Sequence, residues 1–220
     1  MSSIFRLDAS IRTEGSVTRS IADRLQSTLD AALHPTMVRR DVGVGPIPST
    51  AWAGAVFGPH VPEGQRTPQQ EEGLALSRQI ADELAQADAY IYAIPLYTFG
   101  VSQHFKAWLD LLLTDPRFAP GKESAIKGRP AQLIVAKGGG YGEGTPRHGW
   151  DHATSWYRRM LEDVLSLDVE VIECELTLAD VTPAMAGLRD KAAQNLADAL
   201  AAAETAAQRL ADRLSISAAA

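Results

Sequence analysis

The segment Asp88-Ala-Tyr-Ile-Tyr-Ala-Ile94 is followed directly by Pro95-Leu-Tyr-Thr-Phe-Gly-Val-Ser102. A short apolar run bounded by proline is typical of a buried strand. Ser102 can then cap a helix whose apolar stripe includes Phe105 and Trp108. A strand, an aromatic turn and a helix in this order predict one βα unit of an α/β fold.

Similar units occupy the rest of the chain, and together they predict an open α/β sheet with crossover helices. The predicted strands are 3–9, 36–41, 88–94, 130–136 and 169–176. Helices are predicted from the apolar face of Ile21, Leu25, Leu29 and Leu33, over 68–86, after Ser102, near 151–166 and over 183–214. Residues 42–67 are rich in glycine and proline and are predicted to be a long loop. We expect one domain over residues 1–214 and a frayed C-terminal tail at 215–220.

Composition limits the possible functions. The 220 residues contain 21 Lys and Arg against 27 Asp and Glu, a net charge of −6, which argues against broad nucleic-acid binding. A single cysteine, Cys174, excludes an internal disulfide and a cysteine metal cluster. Arg6 and Asp8 interrupt the apolar residues at the N-terminus, which argues against a signal peptide. No apolar stretch is long enough to cross a bilayer. We therefore expect a cytoplasmic protein with no nucleic-acid partner and no membrane partner.

In an open α/β sheet, ligands bind at the carboxyl ends of the strands. The loop after the first strand carries Ser10, Ser16 and Thr18 and leads into a helix, whose N-terminus favours a phosphate. Arg12 or Arg19 could add positive charge there. The glycine pattern of dinucleotide-binding loops is absent, which favours a mononucleotide such as FMN. The alternative is that Ser16 is only a helix cap and Ser10 only a turn residue.

Two further loops are placed to hold a flat ring. After the third strand, Tyr97 and Phe99 can cover the faces of a heterocycle, unless they only plug the core. After the fourth strand, the glycines at 138–140 allow close backbone approach, and Lys137 could place its charge beside the N1–O2 edge of a reduced flavin. The alternative for this second loop is a mobile surface segment.

Three such loops in the expected positions resemble those of the FMN-dependent NADH:azoreductase and NAD(P)H:quinone oxidoreductase family, and the resemblance covers almost the whole chain. Pro95–Gly100 is similar to the family's P-M-Y-N-F-G segment, and Lys106–Asp110 continues it as K-x-W-[IL]-D. Ala136–Gly139 stands in the place of S-R-G-G. The resemblance implies these FMN-binding residues: Ser10, Ser16, Val17, Thr18, Leu96, Tyr97, Thr98, Phe99, Ala136, Lys137, Gly138 and Gly139.

The sequence departs from the family pattern at several of these positions. Leu96 replaces Met and Thr98 replaces Asn, which changes the hydrogen bonding near the ring. Val17 and Thr18 replace a polar residue and a serine. Ala136 and Lys137 replace Ser and Arg, and this keeps the charge but loses the planar fork of arginine.

The resemblance also implies a fold and an activity. The fold is flavodoxin-like, a five-stranded parallel sheet of order 2-1-3-4-5 with helices on both faces. FMN takes two electrons, as hydride, from NADH or NADPH and passes them to a quinone or azo compound in a ping-pong cycle, with no catalytic side chain required. The family implies a homodimer. Aromatic residues that could roof the site are Trp52, Phe57, Phe118 and Tyr141.

Two other functions remain open at this stage. A flavodoxin-like electron carrier would bind FMN but turn over no small substrate. A regulatory protein could keep the fold without flavin. The remaining motifs favour structural roles: no metal site is expected at His148, Asp151 and His152, Cys174 is expected in the core, Lys106 and Asp110 are expected to form a surface pair, and the alanine-rich last helix is expected to pack closely.

Overall fold

The computed structural model of the chain describes residues 2–219, with side chains described for residues 2–216. These residues form one sheet of five parallel strands in the order β2-β1-β3-β4-β5. The strands are β1 (Ser3–Asp8), β2 (Thr36–Asp41), β3 (Ala89–Pro95), β4 (Pro130–Ala136) and β5 (Asp168–Cys174). The flavodoxin-like strand order expected from the sequence is therefore confirmed.

Helices connect the strands and follow the last one. They are α1 (Val17–Leu33), α2 (Ala51–Phe57), α3 (Pro68–Ala85), α4 (Gln103–Leu112), α5 (Thr154–Arg158) and α6 (Arg189–Ala219). A π-helical turn, Arg159–Val164, continues α5, and a 3₁₀ turn, Pro183–Leu188, precedes α6. Helix α6 runs past its predicted end at Leu214. Ala220 lies outside the described residues, and both the fraying of the tail and the single domain over 1–214 stay predictions.

Alternate residues of the strands face opposite sides of the sheet. Phe5 and Tyr92 pack in the core formed with α3 and α4, and Trp108 of α4 lies against both rings. Ile4 and Ile91 face α1 and α6 on the other side. Helix α6 contributes buried alanines to this second core, so the expected close packing of the alanine-rich helix is confirmed.

The prediction of a long loop over 42–67 was wrong. Residues 51–57 form α2, and Gly58–His60 form a 3₁₀ turn after it. Gly54, one of the glycines that suggested a loop, is a packing position instead, and it faces Gly73 of α3 across the contact between the two helices. A Cβ atom at Gly54 would lie 2.3 Å from the backbone oxygen of Gln69, and one at Gly73 would lie 2.5 Å from that of Ala51. Glycine thus allows α2 and α3 to pack backbone against backbone.

The structure also places several single residues whose roles the sequence predicts. Cys174 is buried in the core, and burial raises the pKa of its thiol to about 11. Lys106 and Asp110 form a salt bridge of 2.6 Å on the surface of α4. Ser102 is the N-cap of α4, but its hydroxyl makes no capping hydrogen bond. Among the described residues, no helix is both long enough and apolar enough to cross a membrane.

The packing of α2 on α3 gives a test of the fold. Alanine normally favours a helix interior over glycine by about 1 kcal/mol. We expect Gly73→Ala nevertheless to lower the free energy of unfolding by about 2 kcal/mol, because its methyl group meets the backbone of α2. Urea unfolding measures this change. Gly187→Ala is the matched control, since a Cβ atom there has no neighbour within 4 Å. Equal stability of the two variants contradicts the packing described.

Candidate functional site

The loop between β1 and α1 gathers three hydroxyl groups at the N-terminus of α1. Ser16 is the N-cap, and its Oγ lies 3.2 Å from Oγ1 of Thr18. Oγ of Ser10 accepts a hydrogen bond of 3.2 Å from the backbone N–H of Arg12. The first turn of α1 carries no acidic side chain, so the positive end of its dipole is not neutralised. This end of the loop therefore suits an anion such as a phosphate.

Arg19 fixes the shape of this loop. Its guanidinium donates to the carbonyl of Ser10 at 2.7 Å and to that of Arg12 at 2.9 Å. It also forms two hydrogen bonds with the carboxylate of Asp41, at 2.5 and 2.9 Å. Burial alone would raise the pKa of Asp41, but the hydrogen bonds and charge of Arg19 hold it below its ordinary value. The charge of Arg19 is thus neutralised within the protein, and Arg12 is the exposed cation of the loop.

The loop after β3 lies beside this hydroxyl cluster. The hydroxyl of Tyr97 accepts a hydrogen bond of 3.2 Å from the backbone N–H of Ile11 and lies 3.4 Å from Oγ of Ser10. Thr98 and Phe99 both have positive φ angles, and Gly100 donates to the carbonyl of Tyr97 at 3.0 Å. A turn with two non-glycine residues in the left-handed region is strained. Such strain is common at functional sites.

The loop after β4 completes the strand ends. The carbonyl of Ala136 accepts a hydrogen bond of 2.9 Å from the backbone of Leu96, which joins the two loops. A Cβ atom at Gly138 would lie 2.7 Å from the side chain of Leu178, in the loop after β5. Gly138 therefore lets Leu178 approach, and this contact forms one wall of the site.

These loops enclose a cavity of about 310 Å³, near the lower end of the range for ligand sites. The lining includes the hydroxyl-bearing residues Ser10, Ser16 and Thr18 at the start of α1 and the apolar residues Leu96 and Leu178. The donors suit a phosphate, and the apolar side chains suit the face of a flat ring. The cavity therefore fits one mononucleotide such as FMN.

A wider groove of about 1020 Å³ shares Gly15–Val17 with this cavity and runs along α1. It is larger, but its charged lining is already paired: Arg19 binds Asp41, Arg24 binds Glu204 and Arg39 binds Asp8. The smaller cavity lies at the strand ends, where α/β sheets bind ligands, and we assign the site there.

The comparisons with known proteins agree with this geometry. Residues 2–208 match the family model described as "Flavodoxin-like fold". The FMN-dependent NADH:quinone oxidoreductase of Frankia alni is 39% identical over 198 residues, which are 86% of this chain and 91% of that protein. This chain belongs to the flavodoxin-like family of FMN-dependent NADH:quinone oxidoreductases.

Other members and solved structures extend the comparison. The FMN-dependent NADH:quinone oxidoreductase of Frankia casuarinae is 35% identical over 208 residues, 92% of this chain and 97% of that protein. The structure of an FMN-dependent NADH-azoreductase from Bacillus anthracis in complex with FMN has a TM-score of 0.75. Its identity is 18%, with 96% of this chain and 100% of that one covered, so this likeness shows the fold.

The structure brings most of the FMN-binding residues implied by the family pattern to one cavity. The cavity is lined by Ser10, Ser16, Val17, Thr18, Leu96, Tyr97, Ala136 and Gly138. Thr98, Phe99, Lys137 and Gly139 belong to the same loops but do not line it. The direct part these twelve residues play in binding FMN stays a prediction.

Lys137, whose charge the sequence places beside the flavin edge, is paired within the protein, and its part at the flavin stays a prediction. Its ammonium is buried and lies 2.8 Å from the carboxylate of Asp151, 3.0 Å from that of Glu173 and 3.9 Å from that of Glu175. Burial alone would lower the pKa of Lys137, but the hydrogen bonds to Asp151 and Glu173 raise it. The lysine therefore joins β4, β5 and the start of α5 rather than offering a free charge.

The sequence analysis missed the loop after β5. Thr177 and Leu178 line the cavity, and Ile11 and Gly15 line it from the loop after β1. The backbone and hydroxyl of Thr177 both donate to the carbonyl of Lys137, at 3.1 Å each. Because β5 is the neighbour of β4, its carboxyl end lies at the same edge of the sheet. The predicted strand order, with β5 beside β4, could have indicated this loop.

None of the four aromatic residues predicted to cover the site lines the cavity itself. Phe118 is in the core, while Tyr141 packs against Phe99 at 6.4 Å between ring centroids. Trp52 and Phe57 lie on α2 with exposed side chains and do not line the cavity. Among the described residues, no group of three side chains could hold a metal ion.

The buried pair of Lys137 and Asp151 gives a pH test. Burial would raise the pKa of Asp151, but hydrogen bonds from Lys137 and Thr154 lower it to about 2. A carboxylate with a lowered folded-state pKa stabilises the fold above its unfolded pKa and loses this effect as the pH falls toward 2. We expect Asp151→Asn to lower the free energy of unfolding by about 2 kcal/mol at pH 7. The difference from the unmodified protein should shrink below about pH 4.

Urea unfolding at pH 7, 5 and 3 measures this dependence. Asp163→Asn is the control, since Asp163 is an exposed carboxylate paired with Arg159 at 3.0 Å. Such a surface pair contributes about 0 to 1 kcal/mol. If Asp151→Asn lowers the free energy of unfolding by the same amount at pH 3 and at pH 7, the charge pairing is contradicted.

Proposed function

We propose that this protein is an FMN-dependent oxidoreductase that uses NADH to reduce quinones and azo compounds. The observation that carries the proposal is the cavity at the carboxyl ends of the strands, whose lining combines hydroxyls at the N-terminus of α1 with apolar side chains. The NADH:quinone oxidoreductases that the chain resembles at 30 to 39% identity support NADH as the electron donor and quinones as acceptors. The azo compounds follow from the family resemblance.

Each part of the cavity has a separate role in this proposal. The hydroxyls of Ser10, Ser16 and Thr18 bind the phosphate, with the positive end of α1 behind them. Leu96 and Leu178 contact the ring and exclude water from it. FMN, when bound, supplies the chemistry by accepting two electrons from the nicotinamide and donating them to the acceptor.

The lining contains few groups that could move protons. Arg12 and Tyr97 are its ionisable side chains, and the Tyr97 oxygen accepts a hydrogen bond from the backbone N–H of Ile11. In this proposal the chain binds and orients the reactants, and no side chain is assigned as a general acid or base.

We further propose that the protein acts as a homodimer in the cytoplasm. The family resemblance implies two subunits, and α2 presents Trp52, Val56 and Phe57 on its surface with 53%, 36% and 62% of each residue exposed. Trp52 and Val56, four residues apart on α2, line the same surface hollow. Exposed apolar and aromatic side chains grouped on a surface are typical of an interface. The buried free thiol of Cys174 agrees with a reducing compartment.

Turnover tests the function directly. We expect the purified protein, loaded with FMN, to oxidise NADH in the presence of 1,4-benzoquinone, and methyl red to lose its colour under the same conditions. Absorbance at 340 nm follows NADH, and the dye is followed by its visible band. Bound FMN without turnover of either acceptor contradicts the proposal and favours an electron carrier. A protein that cannot be loaded with FMN contradicts both.

The hydroxyl cluster gives a matched pair of variants. Thr18→Val removes one hydroxyl from the cavity with little change in shape, and we expect the dissociation constant for FMN to rise about tenfold. Thr28→Val is the control on the same helix, because its hydroxyl bonds only to the carbonyl of Arg24. Fluorescence titration of FMN measures both. An equal effect of the two substitutions contradicts the phosphate site.

The oligomeric state is tested by light scattering after gel filtration. We expect a mass of twice 23.6 kDa for the unmodified protein and a monomer for Trp52→Glu. Val181→Glu is the control, since Val181 is also an exposed apolar residue and lies at a distant point of the chain, and this variant should stay a dimer. A monomeric unmodified protein, or a Trp52→Glu variant that stays a dimer, contradicts the proposed interface.

A further inference from the structure

Arg147 is an arginine without a charged partner in an acidic protein. It lies in the segment between β4 and α5, and its side chain is exposed. Other arginines near the strand ends are paired: Arg6 and Arg39 bind Asp8, and Arg19 binds Asp41. Among residues 2–216, Arg147 makes no ion pair and no hydrogen bond. Its donors are therefore available to a ligand.

The guanidinium of Arg147 is nevertheless held in a defined place. Its Cζ atom lies 5.5 Å from the centroid of the Phe99 ring, within the range of a cation–π contact. Nη1 covers Gly139, where a Cβ atom would lie only 2.8 Å away. Gly139 thus leaves the space that the guanidinium occupies. A surface arginine that merely faces water needs neither the ring nor the glycine.

Aromatic side chains surround this position. Phe99 also contacts Trp150 edge to face, with 5.2 Å between the ring centroids, and Tyr141 at 6.4 Å. Half of Trp150 is exposed. Phe99, Tyr141, Trp150 and Arg147 together form what we call the Arg147 platform. Tyr141 is buried and Phe99 partly exposed, so Trp150 is the ring that this cluster offers to solvent. An exposed ring beside an unpaired cation suits a flat ligand with an anionic group.

The Arg147 platform lies next to the proposed FMN cavity. Gly138, which lines the cavity, directly precedes Gly139, and Tyr97, which also lines it, is two residues before Phe99. A ligand on the platform is therefore within reach of a ring held in the cavity. Lys137, which lies between these two glycines and β4, is paired with Asp151 and Glu173 and offers no free charge on this side.

We propose that Arg147 binds the anionic group, a sulfonate or carboxylate, of an aromatic electron acceptor. This inference rests on the proposed function and names the acceptor class of the same site. The planar fork of arginine binds two oxygens of such a group at once, and contact with Phe99 reduces the freedom lost on binding. The acceptor ring packs on the exposed side of the platform. Acidic aromatic acceptors are thereby favoured over neutral ones of the same shape.

The pyrophosphate of NADH is a second source of the same anionic chemistry. It is separated from the nicotinamide ring by a ribose, whereas a sulfonate is attached directly to the acceptor's ring. The platform places the cation directly beside the aromatic surface, at 5.5 Å, which matches the acceptor better. The experiment separates the two sources.

The test compares two dyes that differ only in charge. Methyl orange carries a sulfonate, and its sulfonamide analogue is neutral and almost the same shape. We expect Arg147→Ala to raise the KM for methyl orange about tenfold, with a change within about twofold for the sulfonamide. Arg147→Lys, which keeps the charge but loses the fork, should fall between. Arg159→Ala, an exposed arginine on the π-helical turn, is the control and should change neither KM.

A binding titration without NADH gives a second readout. The shift of the methyl orange absorption band on addition of protein yields a dissociation constant, which should rise about tenfold in Arg147→Ala. This titration needs no turnover, so it tests Arg147 independently of the activity. Absence of benzoquinone reduction in the unmodified protein would overturn the proposed function alone.

Two results overturn the inference itself. If Arg147→Ala raises the KM for methyl orange and for the sulfonamide equally, Arg147 only shapes the loop. A raised KM for NADH with unchanged dye binding assigns the guanidinium to the pyrophosphate of the dinucleotide. A tenfold rise in KM that is confined to the charged dye in Arg147→Ala, and is smaller in Arg147→Lys, supports the inference.

Discussion

The hydrogen-bonded pair of Arg19 and Asp41 joins the end of β2 to the start of α1, and the proposed phosphate site depends on it. Arg19 donates to two carbonyls of the intervening loop while Asp41 neutralises its charge. Asp8, fully buried at the end of β1, is paired with Arg6 and Arg39 in the same region. With these charges satisfied internally, the hydroxyls of the loop and the N–H groups of α1 are left to face the cavity.

A second buried cluster fixes the opposite side of the cavity. Lys137 binds carboxylates from the start of α5 and from the end of β5, so three segments meet at one ammonium group. Both clusters use cations to hold loops at the carboxyl ends of the strands. The anion site is therefore built from backbone dipoles and hydroxyls, which bind a phosphate without a large local charge. This agrees with a chain whose net charge is negative and whose exposed cations beside the site are Arg12 and Arg147.

The sequence predicts the sheet well because the central strands β3 and β4 are short apolar runs and each crossover needs a helix. The three predicted loops do meet at one edge, since parallel strands end on the same side. Two features of the structure escaped prediction for a physical reason. Gly54 is a site of contact between α2 and α3, which composition cannot distinguish from a turn glycine. The carboxylates around Lys137 come from segments distant in sequence, and only the folded register brings them together.

The most direct test of the account compares FMN with riboflavin, which has the same ring but no phosphate. The apoprotein is titrated with each by calorimetry. Because the phosphate should meet several charge-assisted hydrogen bonds at the N-terminus of α1, we predict that FMN binds at least about a hundredfold more tightly than riboflavin. Equal affinities for the two, or no binding of either, would contradict the site described at the ends of β1, β3 and β4.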